Sequence, residues 1–391
     1  MNLATRMNRL GTETAFEVLV RARALEAKGV DVVHLEIGEP DFDTPANIID
    51  AGCDALRSGW THYGPAAGLP ELRQAIASYV NRTRATDFAP HEVVVTPGGK
   101  PIMFFVILAL LEAGDEAIYP DPGFPIYGSM INFVGATPAP IPLREEREFR
   151  LDVDELERLI TPRTRLLIIN SPANPTSGVL ERSDLERIAQ LAVEHDLIVL
   201  SDEIYSEILY EGEHISIATM PGMRERTIVL DGFSKTYAMT GWRLGYGLMP
   251  EELAAEIGKL MVNSVSCTSV AVQRAGIEAL EGRQDDVRAM VAAFRRRRDL
   301  MVSGLNAIDG ISVLEPKGAF YVFPNISSLG MSSKEFADRL LEEHGVAALA
   351  GTSFGAHGEG YLRLSYANSE ENLAKALDRI AVAAQSHAIA R

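Results

Sequence analysis

Short apolar runs alternate with amphipathic stretches through the middle of the chain. Glu92–Thr96, Glu116–Tyr119, Leu166–Ile169, Leu197–Leu200 and Thr227–Leu230 read as buried strands. Helical patterns such as Arg182 to His195 lie between several of them. Strand–helix alternation predicts a mostly parallel sheet covered by helices on both faces. The apolar run Ile102 to Leu111 is too short to span a bilayer and reads as a buried helix. Beyond residue 283 the pattern changes. Gln284 to Asn306 predicts one long charged helix, followed by short strands at Ser312–Leu314, Ala319–Phe323 and Tyr361–Ser365 and a helix at Ser333–Glu343. This α+β pattern predicts a second domain, against which a helix at Thr14 to Lys28 is expected to pack.

Composition narrows the function. The chain has 391 residues, more than one small core needs, and an ordinary soluble balance of 47% hydrophobic and 23% charged residues. A net charge of −17 repels a phosphate backbone, so nucleic acid is not an expected partner. The basic run Arg295–Arg298 is read as a solvated helix face. Cys53 and Cys267 are the only cysteines, which excludes a zinc spacing or a disulfide framework and fits a reducing compartment. Met1 to Leu10 has no apolar signal core, so a cytoplasmic protein without membrane attachment is expected.

Candidate chemistry collects after the strands. Val93–Val95 is followed by Thr96-Pro97-Gly98-Gly99-Lys100-Pro101, and Ala117–Tyr119 by Asp121-Pro122-Gly123-Phe124. Leu166–Ile169 leads into Asn170-Ser171-Pro172-Ala173-Asn174-Pro175, and Leu197–Leu200 into Ser201-Asp202-Glu203-Ile204-Tyr205. Ile228–Leu230 leads into Asp231-Gly232-Phe233-Ser234-Lys235. In open α/β sheets the carboxyl ends of the strands are where ligands bind. Gly98-Gly99-Lys100-Pro101 opens an apolar helix, where free N–H groups and the helix dipole favour a phosphate.

The run Gly232-Phe233-Ser234-Lys235-Thr236-Tyr237-Ala238-Met239-Thr240-Gly241-Trp242-Arg243-Leu244-Gly245 resembles the pyridoxal-phosphate attachment signature of the class I aminotransferases. The resemblance extends nearly end to end and keeps the family's order. It includes Gly38-Glu39-Pro40-Asp41-Phe42-Asp43-Thr44-Pro45, Tyr63 with Gly68-Leu69-Pro70-Glu71-Leu72-Arg73, Asn174-Pro175-Thr176, Ser201-Asp202-Glu203-Ile204-Tyr205 and Arg363-Leu364-Ser365-Tyr366. The chain is most similar to the bacterial aspartate and prephenate aminotransferase subgroup. The resemblance implies a large α/β domain at 46–283 with a mostly parallel, seven-stranded type of sheet. It also implies a small α+β domain from both chain ends, 1–45 and 284–391.

The resemblance further implies roles. Lys235 would hold the cofactor as a Schiff base and act as general base then acid. Asp202 would face the pyridine nitrogen, Tyr205 and Asn174 the ring hydroxyl, and Phe124 would stack on the ring. Arg243, Ser234 and the Gly98–Gly99–Lys100 backbone would bind the phosphate, with Gly232 standing where many relatives have a serine. Arg363 would grip the substrate α-carboxylate as a fork, helped by Gly38 and Asn174. Tyr63 would reach the phosphate of a second subunit, which requires a homodimer with shared sites. Lys100 would meet a distal substrate carboxylate. Two hydroxyl residues that assist it in aspartate-type enzymes fall on Ala15 and Glu17, and a glutamate there would repel an acidic side chain. Aspartate therefore competes with aromatic and other donors, and 2-oxoglutarate is the acceptor implied. A β-lyase or a cyclopropane-forming synthase shares the same lysine, aspartate and arginine. A non-catalytic regulator would need a DNA-binding segment, for which Met1 to Gly38 is too short.

Overall fold

The computed structural model describes the backbone of residues 1–389 and the side chains through Gln385. In chain order its strands are β1 Val33–His34, β2 Val93–Thr96, β3 Glu116–Asp121, β4 Thr137–Pro142, β5 Thr164–Asn170 and β6 Ile198–Asp202. They continue with β7 Thr227–Gly232, β8 Gly245–Leu248, β9 Tyr321–Val322, β10 Val346–Ala347, β11 Leu349–Ala350 and β12 Leu362–Ser365. Strands β2 to β8 form one seven-stranded sheet in the order β2-β8-β7-β6-β5-β3-β4. Every pairing is parallel except those of β8, which runs antiparallel to β2 and β7.

Alternation along each strand feeds two cores. Ile168, Leu200 and Ile228 pack with Ile102 and Val106 of the helix Lys100–Leu110 and Ile257 of the helix Glu251–Ser264. Leu167, Ile169 and Val199 face the other way, onto Leu185 and Ile188 of the helix Arg182–Glu194. Both faces are covered, so these strands read as continuous apolar runs rather than alternating ones. Each fully buried Leu, Ile or Val contributes about 1.5–3 kcal/mol.

Two strands escape the hydrophobic pattern. β4 carries Pro138, Pro140 and Pro142, which cannot donate to a ladder. It is tolerated because it lies at the sheet edge and pairs only with β3. β8 contains Gly245 and Gly247 where apolar side chains would be expected. A Cβ on Gly232 would come within 3.0 Å of the Gly245 Cα, so the two backbones pack directly.

Residues beyond 284 build most of a second core, which Val33, Leu35, Tyr205, Ile208 and Tyr210 join. Phe294 and Met301 of the helix Asp285–Asn306, Phe336 and Leu340 of Ser333–His344, and Leu373 and Ile380 of Glu370–Ile389 surround Phe320. Two short sheets, β11-β12-β9 and β1-β10, complete it. The N-terminal helix, Thr14–Glu26, packs there through Ala22 against Val32, Leu341 and Ala347. The strand expected at Ser312–Leu314 reduces to a single bridge between Ser312 and Asn325. The expectation of a solvated Arg295–Arg298 face fails for half the run. Arg297 and Arg298 are buried because carboxylates meet them. Arg297 forms a fork on Asp41 at 2.6 and 3.0 Å, and Arg298 pairs with Glu315 at 3.1 Å and lies over the Tyr210 ring. Among the described residues no helix is long and apolar enough to cross a membrane.

A buried ion cluster pins the carboxyl edge of the sheet. Arg84, which ends the helix Pro70–Arg84, pairs with Glu203 at 2.8 Å and with Asp231. It also donates to the Ser206 hydroxyl at 2.6 Å. Glu203 accepts from Ser201 at 2.9 Å and Ser216 at 2.7 Å and pairs with His214 at 2.9 Å. Burial opposes ionisation of Glu203, but His214 and Arg84 outweigh it and hold its carboxyl at about 2. Arg84→Met should leave Asp231 without its cation and Glu203 with His214 alone, lowering stability by roughly 3–5 kcal/mol in chemical denaturation, with a loss under ~1 kcal/mol contradicting the assignment.

Candidate active site

Strand ends β5, β6 and β7 open into a cavity of about 980 Å³. Tyr321 and Arg363 close one side, and the helix Thr14–Glu26 lies along its outer wall. Lys235 stands just beyond β7, and its amine donates to the Gly38 carbonyl. Burial pulls its pKa down to about 8; Glu39 opposes this, while Arg363 and Lys100 add to it. Asp202 is the last residue of β6. It accepts from the Tyr127 hydroxyl at 2.6 Å and the Ile204 amide at 3.3 Å, yet burial still lifts its pKa to about 6.

Behind them, polar groups fix the strand ends. Asn170 ends β5, donates to the Asp202 carbonyl at 2.9 Å and accepts from the Asn174 amide at 2.8 Å. Tyr205 and Tyr321 share a hydrogen bond at 2.8 Å between their hydroxyls. A side chain on Gly38 would overlap the Tyr321 ring, so glycine is required for the backbone to approach this pair. Arg363, on β12, donates to the Glu36 carbonyl and reaches the Asn174 amide oxygen at 3.4 Å. Its guanidinium is sandwiched 4.7 Å from the Tyr321 ring centre and 4.9 Å from that of Phe354. Its Nε is buried without a hydrogen-bond partner, and burial lowers its pKa.

Arg243 adopts a left-handed backbone, φ 56°, and donates to the Thr240 carbonyl at 2.7 Å. Its guanidinium lies against bare backbone at Gly98, where a Cβ would overlap it. Gly98 is itself at φ 92°, and Gly99 caps the helix that Lys100 begins. Ser234 lines the same wall. Phe124 meets Tyr127 edge-on at 5.6 Å. The Lys100 amine sits 5.4 Å above the Phe124 ring and pairs with the Glu13 carboxylate.

Among the residues singled out from the sequence, Lys235, Asp202, Tyr205, Asn174, Gly38, Gly99, Lys100, Phe124, Ser234, Arg243 and Arg363 all line this cavity. Gly98 backs it through Arg243. Tyr63 does not line it; it stands 89% exposed. The expectation that Glu17 faces the substrate is corrected. Phe16, Leu19, Arg23 and Glu26 form the stripe of the N-terminal helix on the cavity, and Glu17 falls off that stripe. The acids that this helix brings to the cavity are Glu13, at its N-cap, and Glu26, at its last position. Tyr127, Tyr321, Asn170 and Glu13 were not singled out. Asn170 lay within a strand-end cluster, whereas Tyr127 and Tyr321 look like core aromatics until their hydroxyl partners are known.

The chain matches the family "Aminotransferase class I and II" over residues 30–380. It is 45% identical to an aspartate aminotransferase of Pyrococcus abyssi over 90% of this chain and 91% of that one. It is 43% identical to an aromatic-amino-acid aminotransferase of Thermococcus litoralis, covering 90% and 92%. A solved structure of Thermus thermophilus aspartate aminotransferase with maleate superposes with a TM-score of 0.94 at 41% identity, covering 98% of this chain and all of that one. The chain belongs to the class I and II aminotransferases. It is a pyridoxal-phosphate-dependent transaminase, and it moves an amino group between amino acids and 2-oxo acids.

The environment of Lys235 makes a chemical prediction. Only the neutral amine is a nucleophile. In the cofactor-free protein, acylation of Lys235 by acetic anhydride should therefore rise with pH to half-maximum near 8. Surface lysines should follow near their ordinary value of about 10.4. Peptide mass mapping checks this, and a Lys235 midpoint coinciding with surface lysines would contradict it.

Proposed function

We propose that Lys235 is the residue to which pyridoxal phosphate attaches and the group that moves the substrate Cα proton. One observation carries this reading: partly buried Lys235 and buried Arg363, neither with a carboxylate in contact among the described residues, face one cavity with the carboxyl of Asp202. Such cations are costly unless an anionic ligand completes them. The residues fit the cofactor. Arg243 against bare backbone at Gly98, with Ser234 and the helix start at Gly99–Lys100, forms a phosphate cradle. Asp202 resists ionisation while only the Tyr127 hydroxyl and the Ile204 amide donate to it, and a cationic ring N–H opposite it would restore the carboxylate. When bound, the cofactor supplies the electron sink that makes the substrate Cα–H acidic.

Within that frame each residue has a task. Lys235 Nζ, poised near neutrality by burial, takes the Cα proton as base and returns a proton as acid. Arg363 holds the substrate α-carboxylate as a fork, with the Asn174 amide beside it and the Gly38 backbone below. Tyr205 would hold the ring hydroxyl, and Phe124 would cover the ring. Tyr63 reaches the phosphate of a second copy, consistent with its exposure, and the enzyme is a cytoplasmic homodimer. Residues 46–283 form the large domain, and 1–45 with 284–391 the small one. Aspartate or an aromatic amino acid, as in the relatives' names, is the donor class, with a 2-oxo acid such as 2-oxoglutarate as acceptor.

Lys235→Ala should abolish covalent attachment of the cofactor, read by borohydride trapping and mass measurement. It should also lower the half-reaction rate with any donor by at least ~10³-fold. Retained trapping at another lysine, or retained turnover, would overturn the assignment. Tyr63→Phe should weaken cofactor retention in dialysis by several-fold, about what one charge-assisted hydrogen bond contributes. Unchanged retention would remove Tyr63 from the phosphate site.

A further inference from the structure

The outer cavity wall has a feature that the chemistry of Lys235 does not use. The N-terminal helix presents Phe16 and Leu19 to the cavity, preceded by Glu13 at its N-cap. Phe16 is 58% exposed, with no core to cover it. Met103 and Phe124 add further apolar groups to the lining. Lys100 reaches the cavity and is held by the Glu13 carboxylate, while Glu26 and His34, which also line it, pair with each other at 3.1 Å. Glu13 is the more enclosed partner, its side chain 19% exposed against 49% for Lys100. Glu13 and Lys100 line the same cavity as the Lys235 amine.

The other charges nearby are also engaged. Asp41 is forked by Arg297, and Glu39 accepts from the Thr240 hydroxyl at 2.8 Å. Arg23 is on the same stripe but exposed, and lies roughly 15 Å from Glu13 along the helix axis at 1.5 Å per residue. An acidic side chain entering this space must break the Lys100–Glu13 pair and then sit beside a carboxylate. A basic one finds Glu13 already neutralised. An uncharged side chain leaves the pair intact and buries apolar surface on Phe16, Leu19 and Phe124.

We propose that Glu13 sets the side-chain preference. By holding Lys100 it leaves a neutral pocket with apolar groups in its lining, so this transaminase favours donors with large uncharged side chains over aspartate and glutamate. This rests on the reading of Lys235 and Arg363 given above.

Binding of unreactive ligands to the holoenzyme tests it without turnover, by calorimetry. Maleate probes an acidic side chain, and 3-phenylpropionate an uncharged one. The wild type should bind 3-phenylpropionate at least about ten-fold more tightly than maleate, and Glu13→Gln should shift that ratio roughly ten-fold or more toward maleate. Glu13 makes no side-chain cap bond, so glutamine should leave the helix intact; Glu13→Ala should shift the ratio the same way. Equal affinities in the wild type, or a ratio unmoved in both variants, would overturn the proposal. Half-reactions separate it from the broader reading. Conversion by phenylalanine and leucine well ahead of aspartate supports both. Equal conversion by all donors overturns only the Glu13 assignment. Conversion by none overturns the Lys235 reading, and this inference with it.

Discussion

A charge taken out of water must be met by another charge, by hydrogen bonds, or by its own neutralisation. The structure applies this constraint differently at successive depths along the carboxyl edge of one sheet. Deepest, Arg84 meets Glu203 and Asp231, with His214 added, and the cluster is closed on itself. One layer up, Asp202 has only hydrogen-bond donors, and its pKa rises to about 6. In the cavity, Lys235 has only a carbonyl, and its pKa falls to about 8. The closed cluster holds the strand ends still, and the open groups carry the unmet demand that a ligand can satisfy.

Position along the strand decides which side of that line a residue takes. Asp202 and Glu203 are neighbours, both buried carboxyls at the end of β6. Glu203 turns toward Arg84 and is held ionised at about 2, whereas Asp202 turns toward the cavity and is pushed the other way. Asp231 and Lys235 repeat the division after β7, with the aspartate anchored inward on Arg84 and the lysine presented outward. The strong pair therefore stabilises the scaffold, and the perturbed partner is left open to a ligand.

Much of this was legible in the sequence because the strands are buried on both faces. Their apolar runs ended within a few residues of the observed bounds, and the polar clusters after them marked the cavity edge. What escaped did so for physical reasons. β4 is dense in proline and survives only as an edge, and β8 trades apolar side chains for backbone contact at Gly245. Arg297 and Arg298 looked solvated because their partners, Asp41 and Glu315, come from other parts of the chain. Tyr127 and Tyr321 carry no sequence mark of function, since a buried phenol gains meaning only from its hydroxyl partner. Glu17 was misplaced because sequence position alone does not say which stripe of a helix meets the cavity.

The same constraint separates chemistry from selectivity. Asp202 and Lys235 sit on or just beyond strands tied together by Arg84, where a shift of one group would disturb a buried charge cluster. The outer wall of the cavity is instead the N-terminal helix, joined to the second core by Ala22 among a few apolar contacts. Its cavity stripe can change residue by residue without unpairing any charge beneath the sheet. Glu13 illustrates the point: it cancels Lys100 across the cavity while leaving Lys235, Asp202 and Arg363 with the partners they already have. A scaffold built this way can hold one reaction fixed while the polarity of its outer wall is reset by a single side chain.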